Sequence, residues 1–236
     1  MPPARHGVHP TGTCRAAWHS GPMADRAFAG FPVWGVEFYQ DLEEDNTREF
    51  WAQHKVQWQR DVRDPMRALV EELADEFGPG KLFRPNRNLR FSADKSPYKT
   101  HQAALTGREK GAGWYLQLGG DGLVVGGGFR AHSPAETARY RAAVDASSSG
   151  TALERIVADL GSAGFAVEGA ALKTRPKGYG ADHPRLELLR RKELMALRRV
   201  GTPDWLSTPR AADEVRDAWR RVRPLTEWVL EHVAVD

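Results

Sequence analysis

The run RPNRNLRFSADKSPYKTH at positions 84–101 holds most of the chemistry that this sequence offers. It carries five Lys or Arg residues against a single carboxylate, Asp94. Guanidinium groups bind carboxylates and phosphates in a bidentate way, and an ammonium group adds a point charge. The segment therefore predicts a site for an anionic group, and its candidate ligand-binding residues are Arg84, Arg87, Arg90, Lys95, Tyr98 and Lys99.

A second basic stretch, KTRPKGYGADHPR at positions 173–185, repeats this chemistry. Arg175 and Lys177 are its candidate ligand-binding residues. Each loop has more cations than local acids, and bringing the two together costs repulsion unless buried acids or an anion offset it. We therefore expect both loops to converge on one cleft that binds an anionic small molecule, with phosphorylated molecules among the candidates.

Two alternatives to a small-molecule site stay open for these cations. Acidic residues elsewhere could pair with them and lock the loops to the helices. Arg, Lys and aromatic residues together also suit the phosphates and stacked bases of a nucleic acid. The three hypotheses differ in where they place the cations: around a pocket, against internal carboxylates, or along an open face.

A titratable group is also available in each loop. His183 precedes Pro184 at the start of a predicted helix that Asp182 would cap. The positive end of a helix disfavours a protonated imidazole, so a neutral His183 could act as a base near pH 7. The alternative is that His183 packs or makes a structural hydrogen bond. Asp94 is the second candidate acid or base, and whether the protein is an enzyme stays open.

The sequence lacks the residues that several common kinds of site require. Cys14 is the only cysteine, so no disulfide or cysteine-based zinc site can form within the chain. The histidines are scattered without metal-ligand spacing, and the glycine run 126–128 is not followed by the Lys-Ser/Thr of a phosphate-binding loop. The sequence predicts no metal and no cofactor.

The composition indicates a folded chain whose excess of basic residues is confined to part of the sequence. Of its 236 residues, 41% are hydrophobic and eight are Trp, which allows a sizeable core. No stretch approaches the roughly 18–20 apolar residues of a membrane span, so we expect a cytoplasmic protein without membrane contact. The net charge is +3. Because residues 1–22 supply Arg5 and Arg15 and no acid, the remainder is nearly neutral.

Residues 1–22 are rich in Pro, Gly and His and show no apolar period, so they are expected to be disordered. Met23 follows at once and is the expected start of the protein. No second linker interrupts the rest of the chain. We therefore expect a single domain over residues 23–236.

Periodicity places the loops between regular elements. Residues 46–77 keep one apolar face, with Asn46 as the expected cap and Asp64-Pro65 as a kink in one long helix. Gly113 to Phe129 reads as an antiparallel hairpin. The fold class predicted is α+β, with the long N-terminal helix packed on a mainly antiparallel sheet and a helical C-terminus.

Four further elements follow the hairpin. Ser133, followed three residues later by Glu136, predicts a capping box. Asp182 is expected to cap a helix that runs to about residue 194, and residues 194–200 could form another strand. The last helix starts near Pro209 and is expected to be interrupted or bent at Pro224.

The order of residues in the first basic segment resembles the signature of the bacterial DUF2461 family. DNTREFWAQHK, GWYLQLGGDGLVVGGGFR and LKTRPKGYGADHPRLELLRRKEL agree with that family as well, so the resemblance covers about residues 28–200. It implies no established activity. The family usually has Asp where this chain has Asn88, and an amide cannot serve as a base at neutral pH.

Overall fold

The structure is a computed structural model that describes residues 27–88, 90, 94–107 and 111–234. Helices and strands are mixed, as the α+β prediction requires. The elements, in chain order, are α1 (Val33–Glu44), α2 (Arg48–Trp58), a π-helical turn (Gln59–Arg63), α3 (Asp64–Glu72), α4 (Ala74–Phe77), β1 (Gly80–Leu82), β2 (His101–Thr106), β3 (Ala112–Gly119), β4 (Gly122–Arg130), α5 (Pro134–Asp145), α6 (Ser147–Ser162), β5 (Ala166–Glu168), α7 (Leu186–Leu189), β6 (Glu193–Gly201), a 3-10 turn (Asp204–Ser207) and α8 (Arg210–His232).

The six strands form one antiparallel sheet in the order β1-β2-β3-β4-β6-β5. The predicted hairpin is confirmed, because Ala112 to Gly119 pair with Phe129 to Gly122. Gly122 has φ +92°, and a Cβ there would lie 2.2 Å from the Gly201 carbonyl oxygen. Glycine at this position therefore allows both the tight turn and the close approach of β6.

Helices cover one face of this sheet. α8 lies across β3 and β4, α1 packs against β3, and α3 packs against β1 and β2. Their buried apolar side chains share one core with Ala104, Leu116 and Val125 of the sheet. The sequence predicted residues 47–77 as the main cover. α8 instead covers the central strands, and Trp58 is buried as expected.

The long helical segment is unbroken only from α2 to α3, because Leu73 is a turn that separates α3 from α4. Thr47, and not Asn46, caps α2, because the Thr47 hydroxyl accepts a hydrogen bond from the Phe50 N–H at 3.1 Å. Pro65 has no N–H to offer the Asp61 carbonyl four residues earlier. A π-helical turn, Gln59–Arg63, precedes it, and the Asp64 N–H donates to Gln59 five residues back.

Two of the four later elements follow the sequence. Ser133 caps α5 by accepting from the Glu136 N–H, and the strand expected over residues 194–200 is β6 (Glu193–Gly201). α8 contains Pro224 and, contrary to one of the two expectations, is not interrupted there. The predicted helix from Asp182 is wrong, because α7 spans only Leu186–Leu189 and the chain is extended again from Glu193.

The predicted disordered leader, residues 1–22, and the proposed start at Met23 lie outside the described residues. In the part of the chain that is described, no helix is both long and apolar enough to cross a membrane.

Candidate functional site

The first basic loop extends the β1–β2 pair beyond the sheet. The Arg87 N–H donates to the Pro97 carbonyl at 2.9 Å, and the Lys99 N–H donates to the Pro85 carbonyl at 2.8 Å. Asn86 and Tyr98 form an isolated antiparallel bridge between these two bonds. The loop therefore leaves the sheet as a continued ladder, which fixes the directions of its first and last side chains.

Asn46 and Tyr98 anchor this loop to the start of α2. The Asn46 amide donates to the Tyr98 carbonyl and accepts from the Tyr98 N–H, both at 3.1 Å. The Tyr98 ring stacks on Trp51 with 4.2 Å between ring centroids and an interplanar angle of 10°. Tyr98, a predicted ligand residue, is thus buried and packs the loop against the helices.

Arg87 and Asp94 pair within the loop. The Arg87 guanidinium donates to the Tyr98 carbonyl at 3.2 and 3.3 Å and reaches the Asp94 carboxylate at 2.5 Å. Asp94 also accepts from the side chain and backbone of Ser96, which lowers the pKa of Asp94, and the Arg87 charge adds to this effect. A carboxylate held in its ionised form by these donors is a weak base.

The remaining predicted cations of this loop differ in exposure. The Lys99 ammonium donates to the Arg84 carbonyl at 3.1 Å and lies 5.5 Å from the Phe83 ring centroid. Burial, followed by the charges of Arg84 and Arg87, lowers the pKa of Lys99. Arg84, Arg90 and Lys95 are exposed. The Asn88 side chain accepts a hydrogen bond from the Arg90 N–H at 3.3 Å.

The second basic loop is bound to the C-terminal end of α5. The Arg185 guanidinium donates to the carbonyls of Val144 at 2.6 Å and Asp145 at 2.9 Å, and it lies 3.5 Å from the Glu154 carboxylate. The last carbonyls of a helix have no partner within it, so a cation there satisfies both hydrogen bonding and the helix dipole. Arg185 thus acts as a structural cap.

Both ring nitrogens of His183 are occupied. Its Nδ1 accepts from the Arg185 N–H at 3.0 Å, so the ring proton of the neutral form is on Nε2, which lies 3.0 Å from the Asp145 carboxylate. This arrangement fits the structural alternative for His183. Of the predicted ligand residues in this loop, Arg175 donates to the Tyr179 carbonyl at 3.2 Å, and Lys177 is exposed.

The strand register separates the two loops, so the expected convergence is wrong. The first loop leads into β2 at His101, which pairs with Gly119, the last residue of β3. The second leads into β6 at Glu193, which pairs with Arg130, the last residue of β4. These are opposite ends of the β3–β4 hairpin, and a strand of nine residues is about 30 Å long.

The first loop meets cations from the long helical segment instead. A pocket of about 610 Å³ lies between α3, β1 and the start of the loop. Arg63, Arg67 and Arg84 line it, with Glu71 as the one carboxylate. Within the described part of the chain, none of these three guanidinium groups has a hydrogen bond or an ion pair. We call this cavity the arginine pocket.

Helical geometry explains two of the three arginines. Arg63 ends the π-helical turn and Arg67 follows four residues later, so both project from the same side of the helix. Both are partly buried. Sequence reasoning missed them, although two arginines four residues apart on the border of an apolar helical face were a usable signal.

Apart from Gln102, the remaining lining side chains of the arginine pocket are apolar. Trp58, Val70, Leu82 and Phe83 contribute to them. The Trp58 N–H is already used, because it donates to the Tyr39 hydroxyl at 3.1 Å. Burial raises the pKa of Tyr39 above its ordinary value. A ligand would therefore find apolar surface here, with polar contacts supplied mainly by the guanidinium groups.

Side chains that bind metals do not cluster in the described structure. Among residues 27–88, 90, 94–107 and 111–234, no group of three or more His, Cys, Asp or Glu side chains is arranged to hold a metal ion.

These features define an α+β protein in which helices cover one face of an antiparallel sheet and a basic pocket lies at the sheet's edge. The chain belongs to the DUF2461 family, described as a conserved hypothetical protein, whose sequence profile matches residues 35–228. Comparison with curated proteins and with solved structures gave no significant match.

Proposed function

We propose that the protein binds a small anionic molecule, with a phosphate or carboxylate group, in the arginine pocket. One observation carries this proposal: three guanidinium groups surround one cavity that contains a single carboxylate. Partial burial of like charges costs free energy, and an anion held by hydrogen bonds offsets that cost. Arginine is also the side chain best suited to bidentate contact with phosphate and carboxylate.

The size and walls of the pocket agree with a small ligand. Its volume of about 610 Å³ falls within the roughly 300–1,000 Å³ of small-molecule sites. Trp58 and Leu82 offer apolar surface for the uncharged part of such a ligand. Its anionic group would lie among Arg63, Arg67 and Arg84.

The first basic loop supplies the outer part of the proposed site. Lys99 lies close enough to Arg84 and to Arg87 for the charges of both to lower its pKa, after the larger effect of burial. Together with the exposed Arg90 and Lys95, they would raise the local concentration of an approaching anion. Arg175 and Lys177 belong to the other end of the sheet and have no part in this site.

The two candidate acid–base residues lie outside the arginine pocket. His183 and Asp94 are each held by hydrogen bonds in their own loops. Neither of them is a lining residue of the arginine pocket. We therefore propose binding, and no catalytic step, for this cavity.

A ligand screen tests the proposal. Thermal unfolding would be followed with inorganic phosphate, pyrophosphate, phosphorylated metabolites, dicarboxylates and short single-stranded oligonucleotides, each at two salt concentrations. A small anion should raise the melting temperature of the wild type and of Arg155→Gln, an exposed control on α6, but not of Arg67→Gln or Arg84→Gln.

The screen also separates the two alternatives. Stabilisation by oligonucleotides alone, steeply reduced by salt, would indicate nucleic-acid binding along the loop. Equal responses of Arg67→Gln and the control would remove the arginine pocket from any binding. Loss of stability in Arg67→Gln without any anion response in the wild type would favour a structural role for these cations.

A further inference from the structure

The face of the sheet opposite to the helices carries a second and larger cavity. A groove of about 1120 Å³ runs over the sheet, from Thr100 and His101 at one end to Arg130 and His132 at the other. Leu105, Tyr115 and Leu197 share one cross-strand row of this face. They do not belong to the core cluster formed under the helices by the described residues. We call this cavity the open-face groove.

The floor of the groove is a trough without side chains. Gly126 lies in the row between Tyr115 and Leu197, and Gly128 lies beside Met195 in the next row. A Cβ at Gly126 would come within 2.0 Å of the Ala196 carbonyl oxygen, and one at Gly128 within 2.0 Å of that of Leu194. The close approach of β4 and β6 thus requires these glycines, and it leaves a flat strip of bare backbone between apolar walls.

Three neutral polar side chains, Tyr115, Gln117 and His101, line the groove at one end of the trough. The Tyr115 hydroxyl donates to the side-chain amide oxygen (Oε1) of Gln117 at 2.7 Å, and burial raises the pKa of Tyr115 to about 12. The Gln117 amide N–H groups make no hydrogen bond within the described part of the chain. They are therefore available to donate hydrogen bonds to a ligand.

His101 is the third polar side chain at this end. Burial, and then the charges of Lys99 and Arg87, lower the pKa of His101, so its imidazole is neutral near pH 7. His101 pairs with Gly119, which places Gln117 diagonally across from it, about 7–8 Å away between backbone positions. The ring nitrogens of His101, one a donor and one an acceptor in the neutral form, and the amide donors of Gln117 therefore lie at the same end of the groove.

We infer that the open-face groove binds an uncharged, planar heteroaromatic molecule, with its ring over the glycine trough and its polar edge on His101 and Gln117. Flat rings suit a strip of bare backbone flanked by Tyr115 and Leu197, and neutral hydrogen-bonding groups suit a neutral polar edge. A large apolar cavity with a few convergent polar groups is the usual form of a small-molecule site.

Charge distinguishes this groove from the arginine pocket. Its lining includes five carboxylates against three Lys or Arg side chains, whereas the arginine pocket has three arginines against one carboxylate. Glu43 and Asp121 lie at the same end as His101, and Glu168 is paired with Arg199. The lining therefore disfavours an anion. Pro79 and Phe83 border both cavities, which lie on the two sides of the edge strand β1.

Fluorescence titration with the uncharged planar dye Nile red tests this inference on the full chain. We expect saturable binding of one dye per chain, with a blue-shifted emission. Leu105→Glu, which puts a carboxylate on the groove wall at a position already 40% exposed, should weaken binding at least tenfold. Gln117→Leu should weaken the binding of an amide-bearing heteroaromatic competitor, measured by displacement of Nile red, about fivefold or more.

Val56→Glu is the matched control, since Val56 is 74% exposed on α2. It should bind Nile red like the wild type, and thermal unfolding of each variant confirms that it is folded. Unchanged Nile red affinity in Leu105→Glu, or binding without saturation, would overturn the inference. Sedimentation provides the second measurement: a dimer that Leu105→Glu dissociates would show that a second copy covers this face and would overturn it as well.

Discussion

The two basic loops have similar composition and opposite surroundings. In the second loop, arginines donate to backbone carbonyls: Arg185 to those of Val144 and Asp145 at the end of α5, and Arg175 to that of Tyr179. At the first loop, Arg84 faces Arg63 and Arg67 across a cavity. The role of a cation-rich segment therefore depends on the groups that the fold places beside it. Backbone carbonyls give its arginines a structural role, and further cations make it a candidate anion site.

The largest expected effect is on stability, in the second loop. Arg185→Met removes hydrogen bonds to two carbonyls and leaves them beside an apolar side chain, and the Arg185 side chain is only 11% exposed. Charge-assisted hydrogen bonds of this kind contribute about 1.5–3 kcal/mol each, so we expect a loss of about 3 kcal/mol in the free energy of unfolding. Urea denaturation measures it.

The control for this variant is Lys177→Met, in the same loop but exposed. It should change the free energy of unfolding by less than about 0.5 kcal/mol. Equal changes in the free energy of unfolding of the two variants would contradict the assignment of Arg185 as a structural cap.

A smaller loss of stability is expected where the first loop joins α2. Asn46→Ala removes both hydrogen bonds to the Tyr98 backbone and should destabilise the protein by about 1–2 kcal/mol. Because Asn46 holds the loop that carries Arg84, the same variant should also weaken anion binding. Thr47→Ala, which removes only the cap of α2, should lower stability and leave anion affinity unchanged.

The next prediction concerns pH. The pKa of His101 is lower in the folded protein than its unfolded value of about 6.5. Above that value both states are neutral, so His101 makes no difference; as the pH falls below it, the unfolded state takes up the proton first and stability declines. His101→Gln should therefore lose less stability than the wild type between pH 7.5 and 5.5.

Paired urea denaturations at those two pH values check this prediction. The two proteins differ only at position 101, so the difference between their pH dependences isolates the contribution of His101. Identical pH dependence of the wild type and His101→Gln would show that the surroundings of His101 do not disfavour its charged form.

The smallest stability effect is expected at Arg84. Its side chain is exposed and has no ion pair among the described residues, so Arg84→Gln should change the free energy of unfolding by less than about 0.5 kcal/mol. The same change should weaken anion binding about tenfold or more. A stable variant with unchanged anion affinity would place Arg84 outside the site.

Local patterns predicted the elements well. The alternation in GWYLQL and the glycine turn specified the β3–β4 hairpin, and the Ser133 capping box specified the start of α5. These signals act within a few residues, so a single sequence contains them. The choice between Asn46 and Thr47 as the cap of α2 failed because Asn46 is used by Tyr98, fifty-two residues away.

The site was less predictable because it depends on strand order. Nothing in the composition of the two loops distinguishes them, and their separation follows from the antiparallel register of β2, β3, β4 and β6. Arg63 and Arg67 belong to a helix and join Arg84 only because α3 packs against β1 and β2. Contacts between residues distant in sequence thus decide which cations meet.

Calorimetric titration of pyrophosphate into three proteins tests the central claim most directly. The wild type and Arg175→Gln, which removes one exposed cation from the second loop, should bind pyrophosphate at one site with equal affinity. Arg67→Gln, with the same change of charge in the arginine pocket, should bind it about 10- to 100-fold more weakly, as expected for a lost charge-assisted hydrogen bond. Equal affinities in all three proteins, or a greater loss in Arg175→Gln than in Arg67→Gln, would contradict the account.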